Sequence, residues 1–114
     1  MLKLKIDHIA IKVSDLEKAE EWYVNEISAE VVYRDKKYIR IKCDNTYIAL
    51  IDEKHYPHNH IGFLVNDIKD MPTEKGKVVK HRDGTIGVYV KDPFENYIEY
   101  IWYSDEAREV FLDD

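Results

Sequence analysis

One cysteine, Cys43, is the whole thiol inventory of the 114-residue chain, so no disulfide can form within it and cytoplasmic residence is the default expectation. Cys43 stands in a strand-like run and reads as a packed, inert thiol. Basic charge is also short: 17 Lys and Arg against 23 Asp and Glu give a formal net charge of -6. An acidic body repels phosphate at long range, which argues against nucleic acid and an anionic membrane surface, with room only for a local basic pocket. Long apolar runs are missing as well. The opening Met-Leu-Lys-Leu-Lys-Ile-Asp alternates apolar and charged residues. It therefore lacks the continuous hydrophobic stretch of a signal peptide or membrane span and reads as the edge of a first strand. What remains, 45% hydrophobic, suffices for one compact core and is too little for two ordinary domains, so a single domain over residues 1–114 is expected.

Within that domain the chain repeats itself. Asp7-His8-Ile9-Ala10-Ile11-Lys12-Val13-Ser14-Asp15-Leu16 is echoed by Asn59-His60-Ile61-Gly62-Phe63-Leu64-Val65-Asn66-Asp67-Ile68. Asn45-Thr46-Tyr47-Ile48-Ala49-Leu50-Ile51 is echoed by Glu95-Asn96-Tyr97-Ile98-Glu99-Tyr100-Ile101. The common order and near-equal spacing describe a module of roughly fifty residues present twice. Module one covers about residues 4–53, a linker about 54–58, module two about 59–103, and a C-terminal helix about 104–112.

Each module reads as strand, helix, then three strands. Ile9, Ile11 and Val13 alternate as one apolar face of a first strand, with His8, Ala10 and Lys12 on the other. Ser14-Asp15-Leu16-Glu17 matches a capping box, with Ser14 as the cap. Leu16, Ala19, Trp22, Tyr23 and Ile27 then form a helical stripe expected to pack in the core. Strands follow at Ala29 to Arg34, Tyr38 to Cys43 and Thr46 to Asp52, separated by turn residues. In module two Pro72 leaves only a weak helix within Asp67 to Lys75. Strands are expected at Lys77 to His81, Ile86 to Lys91 and Tyr97 to Tyr103, and Ser104 caps a short final helix with Ala107, Val110, Phe111 and Leu112 as its apolar patch.

Three residues stand out chemically. His8 and His60 occupy equivalent positions in the duplicated first strands. Glu99 lies inside the apolar and aromatic run Tyr97-Ile98-Glu99-Tyr100-Ile101-Trp102-Tyr103, where a carboxylate is costly to bury unless ion-paired or metal-bound. Its counterpart in module one is Ala49, so the duplication supplies two imidazoles and one carboxylate. That set suits Fe(II), Mn(II), Ni(II) or Zn(II) and leaves coordination positions open for a substrate. The plainer readings are a hydrogen-bonded strand histidine and a glutamate paired with a lysine. Tyr47, Tyr97 and Tyr103 alternate with Ala49 and Glu99 and are, with Ala49, candidates to line a substrate pocket, the tyrosines reading otherwise as aromatic core. His55, His58 and His81 read as solvated, and Arg34, Arg40, Lys80 and Arg82 as surface charge or as contacts for an anionic substrate.

The stretch from Asp7 to Leu16 followed by Trp22-Tyr23, together with His60-Ile61-Gly62-Phe63 and Val88-Tyr89-Val90-Lys91-Asp92-Pro93 leading to Ile98-Glu99, resembles the vicinal oxygen chelate superfamily. This superfamily holds glyoxalase, bleomycin-resistance, fosfomycin-resistance and extradiol dioxygenase proteins. The resemblance covers about residues 6 to 103 and implies an α+β fold in which two βαβββ modules form a cupped mixed sheet around a divalent metal. The family's ligand positions match His8, Ala49, His60 and Glu99, of which Ala49 cannot coordinate. A glyoxalase-type pattern with two glutamates is therefore disfavoured. Three ligands resemble instead the small fosfomycin-resistance enzymes or the dioxygenases, so a metal-dependent lyase, transferase or dioxygenase is expected, acting on a small molecule that chelates through adjacent oxygens. Ala10, where the fosfomycin enzymes carry a hydroxyl residue, and the short Lys80 to Gly87 interval speak against that particular substrate. Glu95 stands where the family turn commonly has glycine, which disfavours a positive backbone angle there. The resemblance also implies a homodimer. A metal-free small-molecule or antibiotic-sequestering protein and a noncatalytic dimer are the alternatives.

Overall fold

The computed structural model describes residues 3–112. The chain gathers into two compact units, one of residues 8–60 and the other of residues 61 onward with those preceding residue 8. In the first, β1 (Lys5–Val13), α1 (Leu16–Ile27), β2 (Glu30–Arg34), β3 (Tyr38–Lys42) and β4 (Tyr47–Asp52) place their strands in the order β2-β3-β4-β1. β1 runs parallel to β4, while β2, β3 and β4 are antiparallel neighbours, so the sheet is mixed. The second unit repeats the order as β5-β8-β7-β6, with β5 (His60–Leu64), β6 (Lys77–Lys80), β7 (Thr85–Lys91), β8 (Tyr97–Tyr103) and a closing α2 (Asp105–Phe111). A single 3-10 turn, Ile68–Asp70, stands where the first unit has its helix. Met71 is extended before Pro72, as the steric demand of the proline ring requires, and the turn ends there.

Asp15 rather than Ser14 caps α1: its side chain accepts from the Lys18 amide at 3.1 Å, and Ser28 closes the helix in the left-handed region. The charged acceptor one position later starts the helix at Leu16. The expected stripe is only partly buried. Leu16, Ala19 and Tyr23 pack with Val13, Val31 and Ile48 around Ala29, Ile39, Ile41 and Leu50. Trp22 is 57% exposed and Ile27 also lies open. At 100° per residue Trp22 falls beyond the flank of the stripe, and Ile27 stands in the final turn next to the left-handed cap. β1 departs from expectation in the same way. α1 lies over β2, β3 and β4, so Ile9 is 38% exposed while His8 and Ala10, on the supposedly outer face, are buried. In the second unit Val65, Met71 and Val88 form the core with Val90, Tyr100 and Trp102. Ser104 caps α2 by accepting from the Ala107 amide, and Ala107 and Phe111 are its buried residues, whereas Val110 points outward.

Two irregularities shape the sheets. β2 slips register against β3 between Val31 and Tyr33. In the β7–β8 turn Glu95 adopts φ 68° although it is not glycine. The positive angle disfavoured for Glu95 is thus present, because Asp92 dictates the turn. The Asp92 amide donates to the Asn96 carbonyl at 2.7 Å, and the Asp92 carboxylate accepts from the Phe94 and Asn96 amides and from the Asn96 side chain.

Those bonds, above all the one from the Asn96 amide, hold the Asp92 carboxyl below the usual carboxylate range against the opposing effect of desolvation. A depressed folded-state value means that the contribution to stability is complete above the unfolded value of about 3.9 and fades as pH falls through the folded one. Urea midpoints measured from pH 6 down to pH 2 should therefore separate wild type from Asp92→Asn at the upper end and converge at the lower. Curves that stay parallel throughout would remove the ionised turn from this account.

Candidate metal and substrate site

In both units the candidate residues lie on the faces away from the helical segments. In the first unit, pairing of His8 with Tyr47, Ala10 with Ala49 and Arg40 with Ala49 sets all five residues on one side of the sheet, because partners in register share a face. Ala10, Ala49 and Ile51 pack there with Tyr38 and Tyr56. The linker is tied back to the end of β1: the Lys12 amide donates to Asn59 Oδ1 at 2.8 Å, and the Glu53 amide to the Val13 carbonyl at 3.1 Å. This anchors the chain one residue before His60.

His8 and His60 are both buried and meet Nε2 to Nε2 at 3.2 Å, with their rings nearly perpendicular. Two nitrogens bound to one divalent ion at about 2.0–2.1 Å would stand roughly 2.9 Å apart at a right angle and about 3.4 Å apart at the tetrahedral angle. The observed separation falls between these limits, a spacing compatible with a shared ion. Without an ion the same contact is an imidazole–imidazole hydrogen bond, one ring donating. His58, read from sequence as solvated, is half-buried, its ring centroid 5.8 Å from that of His60. His55 is exposed and pairs with Asp52 at 3.5 Å.

Arg40 also contradicts its sequence reading. It is 4% exposed, and its guanidinium lies 4.0 Å from the centroid of the Tyr47 ring, a cation–π geometry. Alternation of charged and apolar residues in β3 gave no sign of this, since Arg40 takes the strand's second buried face.

Glu99 belongs to the second unit and is 2% exposed. Its Oε2 lies 2.9 Å from Nε2 of His81, a largely buried residue whose own backbone amide donates to Thr85 across the 82–84 turn. Tyr89, the register partner of Glu99, places its hydroxyl 3.4 Å from the same His81 nitrogen. Sequence reading missed His81, yet a signal existed. Gly87 sits in the interior of β7, and a glycine within a strand often marks a close approach. A Cβ at Gly87 would fall on Glu99 Oε2 and come within 3.0 Å of His81 Nε2. Of the candidate pocket tyrosines, Tyr47 supports Arg40, Tyr97 has the Lys91 ammonium 5.6 Å from its ring centroid, and the Tyr103 hydroxyl donates to Asp7 at 2.6 Å. His8 and His60 are thus brought together within the first unit, and Glu99 engages His81 within the second.

Two units of equal strand order, one with a helix and one with a single helical turn before its last three strands, define the glyoxalase-like class of α+β proteins. Solved structures agree. A hypothetical protein from Bacillus halodurans C-125 superposes with a TM-score of 0.71 at 14% identity, covering 91% of this chain and 97% of its own. Methylmalonyl-CoA epimerase from Mycobacterium tuberculosis gives 0.71 at 16% identity and 91% of both chains. A glyoxalase/bleomycin resistance protein/dioxygenase superfamily member from Vibrio splendidus 12B01 gives 0.64 at 12%, covering 88% and 99%. At such identities these likenesses establish the fold. Residues 5–100 match the model of the Glyoxalase/Bleomycin resistance protein/Dioxygenase superfamily, and the chain belongs to that family. No curated protein matches the chain in sequence. Among the described residues no helix is long and apolar enough to cross a membrane.

Because the Gly87 Cα faces the Glu99 carboxylate so closely, Gly87→Ala must displace either that carboxylate or the His81 ring. Overpacking of this kind costs about 1–3 kcal/mol. A urea midpoint indistinguishable from wild type would show that the neighbours yield freely and that Gly87 is not needed for their placement.

Proposed function

We propose that the chain is a divalent-metal-dependent enzyme acting on a small molecule that chelates the metal through adjacent oxygens, with His8, His60 and Glu99 as the protein ligands. The observation that carries this reading is the approach of the two Nε2 atoms at a separation suited to a shared ion. It is supported by the donor chemistry: His8, His60 and Glu99 are each buried and are of the kinds of side chain that hold a metal ion. Two neutral imidazoles and one carboxylate leave a divalent ion with net positive charge and open positions, and Fe(II), Mn(II), Ni(II) and Zn(II) all suit such a set. When bound, the ion supplies Lewis acidity toward substrate oxygens that gain negative charge during reaction. A lyase, a transferase and a dioxygenase are each compatible with that role.

The surrounding residues narrow the substrate. Ala49, the register partner of Arg40, offers no carboxylate, so it neither ligates nor removes a proton. Arg40 instead holds a buried cation on the sheet face that carries His8, oriented by the Tyr47 ring. A planar guanidinium grips carboxylate or phosphonate oxygens in pairs, so the substrate class proposed is an anionic chelator, bound at Arg40 through its charged group.

Calorimetric titration with the four metals tests the ligand set. One ion per chain should bind wild type, and stoichiometric binding should vanish in His8→Ala, His60→Ala and Glu99→Ala. Absence of binding to wild type would leave the two histidines as a hydrogen-bonded pair and turn the reading to a metal-free ligand-binding protein. For Arg40, metal-loaded protein is titrated with oxalate and with neutral catechol. Arg40→Met should weaken oxalate roughly 10-fold or more, the value of a hydrogen bond to a charged group, and spare catechol. Equal losses for both would exclude Arg40 as the anion contact.

A further inference from the structure

Glu99 is withdrawn from water in the middle of β8, and a carboxylate so placed needs fixed partners to be ionised at all. Its Oε2 is held by His81 at 2.9 Å, and His81 is itself constrained on several sides. Its backbone amide donates to the Thr85 carbonyl. Asp83 fixes the intervening turn by accepting from both the amide and the hydroxyl of Thr85. Gly84, at φ 88°, supplies the left-handed step, and its carbonyl accepts from the Ser104 amide at 3.2 Å. Tyr89 lies edge-on to the His81 ring, 6.0 Å between centroids, and Gly87 leaves the room in which imidazole and carboxylate meet. These neighbours therefore act together to fix one hydrogen bond.

We infer that His81 is a positioning residue for Glu99: its Nε2–H donates to Oε2, fixes the plane of the carboxylate and assigns Oε1 to the metal. The inference rests on the reading of Glu99 as a ligand. A ligating carboxylate left to rotate loses both affinity and a defined coordination geometry, which is why residues that hydrogen-bond ligands affect metal affinity without touching the metal. An ordinary buried ion pair would instead contribute to folding alone.

The test uses the full chain loaded with Mn(II), comparing wild type with His81→Leu and His81→Gln. The glutamine amide N–H reaches the position of the imidazole Nε2–H, whereas leucine fills space without donating. Calorimetry should show one Mn(II) per chain in all three proteins, with affinity about 10- to 100-fold weaker in His81→Leu and within a few-fold of wild type in His81→Gln. The Mn(II) electron paramagnetic resonance line shape, which reports ligand geometry, should change in His81→Leu and return in His81→Gln. Wild-type binding with His81→Leu unaltered in affinity and line shape would overturn the inference and leave the ligand set standing. Weakened affinity with an unaltered line shape and no recovery in His81→Gln would also overturn it, marking His81 as structural support only. Failure of wild type itself to bind Mn(II) or the other three metals would overturn the ligand reading and this inference with it.

Discussion

Parallel pairing of β1 with β4 is the constraint on which the first unit depends. It places His8 beside Tyr47 and Ala10 beside Ala49, and through β4 it carries the same face to Arg40 on β3. Because side chains alternate with a period of two, a slip of one residue would send His8 and Ala10 toward α1 and turn Ile9 to the opposite face. The packing of Val13, Leu50, Ile39 and Ile41 beneath the helix is therefore what specifies which residues are available for chemistry on the other side. In the second unit the antiparallel β7–β8 register has the corresponding role, putting Gly87, Tyr89, Glu99 and Ile101 on one face and Val88, Tyr100 and Trp102 against Met71 on the other.

Much of this was legible in the sequence, and the reasons are physical. The β8 strand and the β3–β4 pair are bounded by strong turn chemistry, so periodicity located them closely. His8 and His60 were visible because a duplication marks equivalent positions, and Glu99 because a charge inside an aromatic run is expensive. What escaped were features decided by neighbours distant in sequence. Arg40 looks like any strand cation until β4 places a tyrosine ring beneath it. His81 looks like a turn residue until β8 brings Glu99 to it. Trp22 stands beyond the flank of the helical stripe, and its exposure follows from that position. Glu95 takes a left-handed conformation because Asp92 gathers the turn's amides around its carboxylate, a local preference outweighed by several bonds at once.

The family relationship sharpens the significance of Ala49. In the duplicated pattern its counterpart is Glu99, so the two units share a strand order and differ in the side chains it carries. One offers a carboxylate that an adjacent histidine restrains. The other offers a methyl group beside a buried guanidinium. The tyrosine that neighbours Glu99 in β7, Tyr89, occupies the place that Arg40 holds against Ala49. A shared strand order thus carries a buried carboxylate in one unit and a buried guanidinium in the other.

The register slip in β2 has a bearing on solubility. Val31-Val32 and Val78-Val79 are the most strand-prone dipeptides in the outermost strands of their units, β2 and β6. Each is fenced by charge, Glu30 and Arg34 in one strand, Lys77 and Lys80 in the other. The bulge twists β2 so that a foreign strand finds no regular ladder to extend, and the lysines of β6 oppose a second copy by repulsion. The bulge in one edge strand and the lysines in the other are thus the features that set these valine pairs against edge-to-edge pairing.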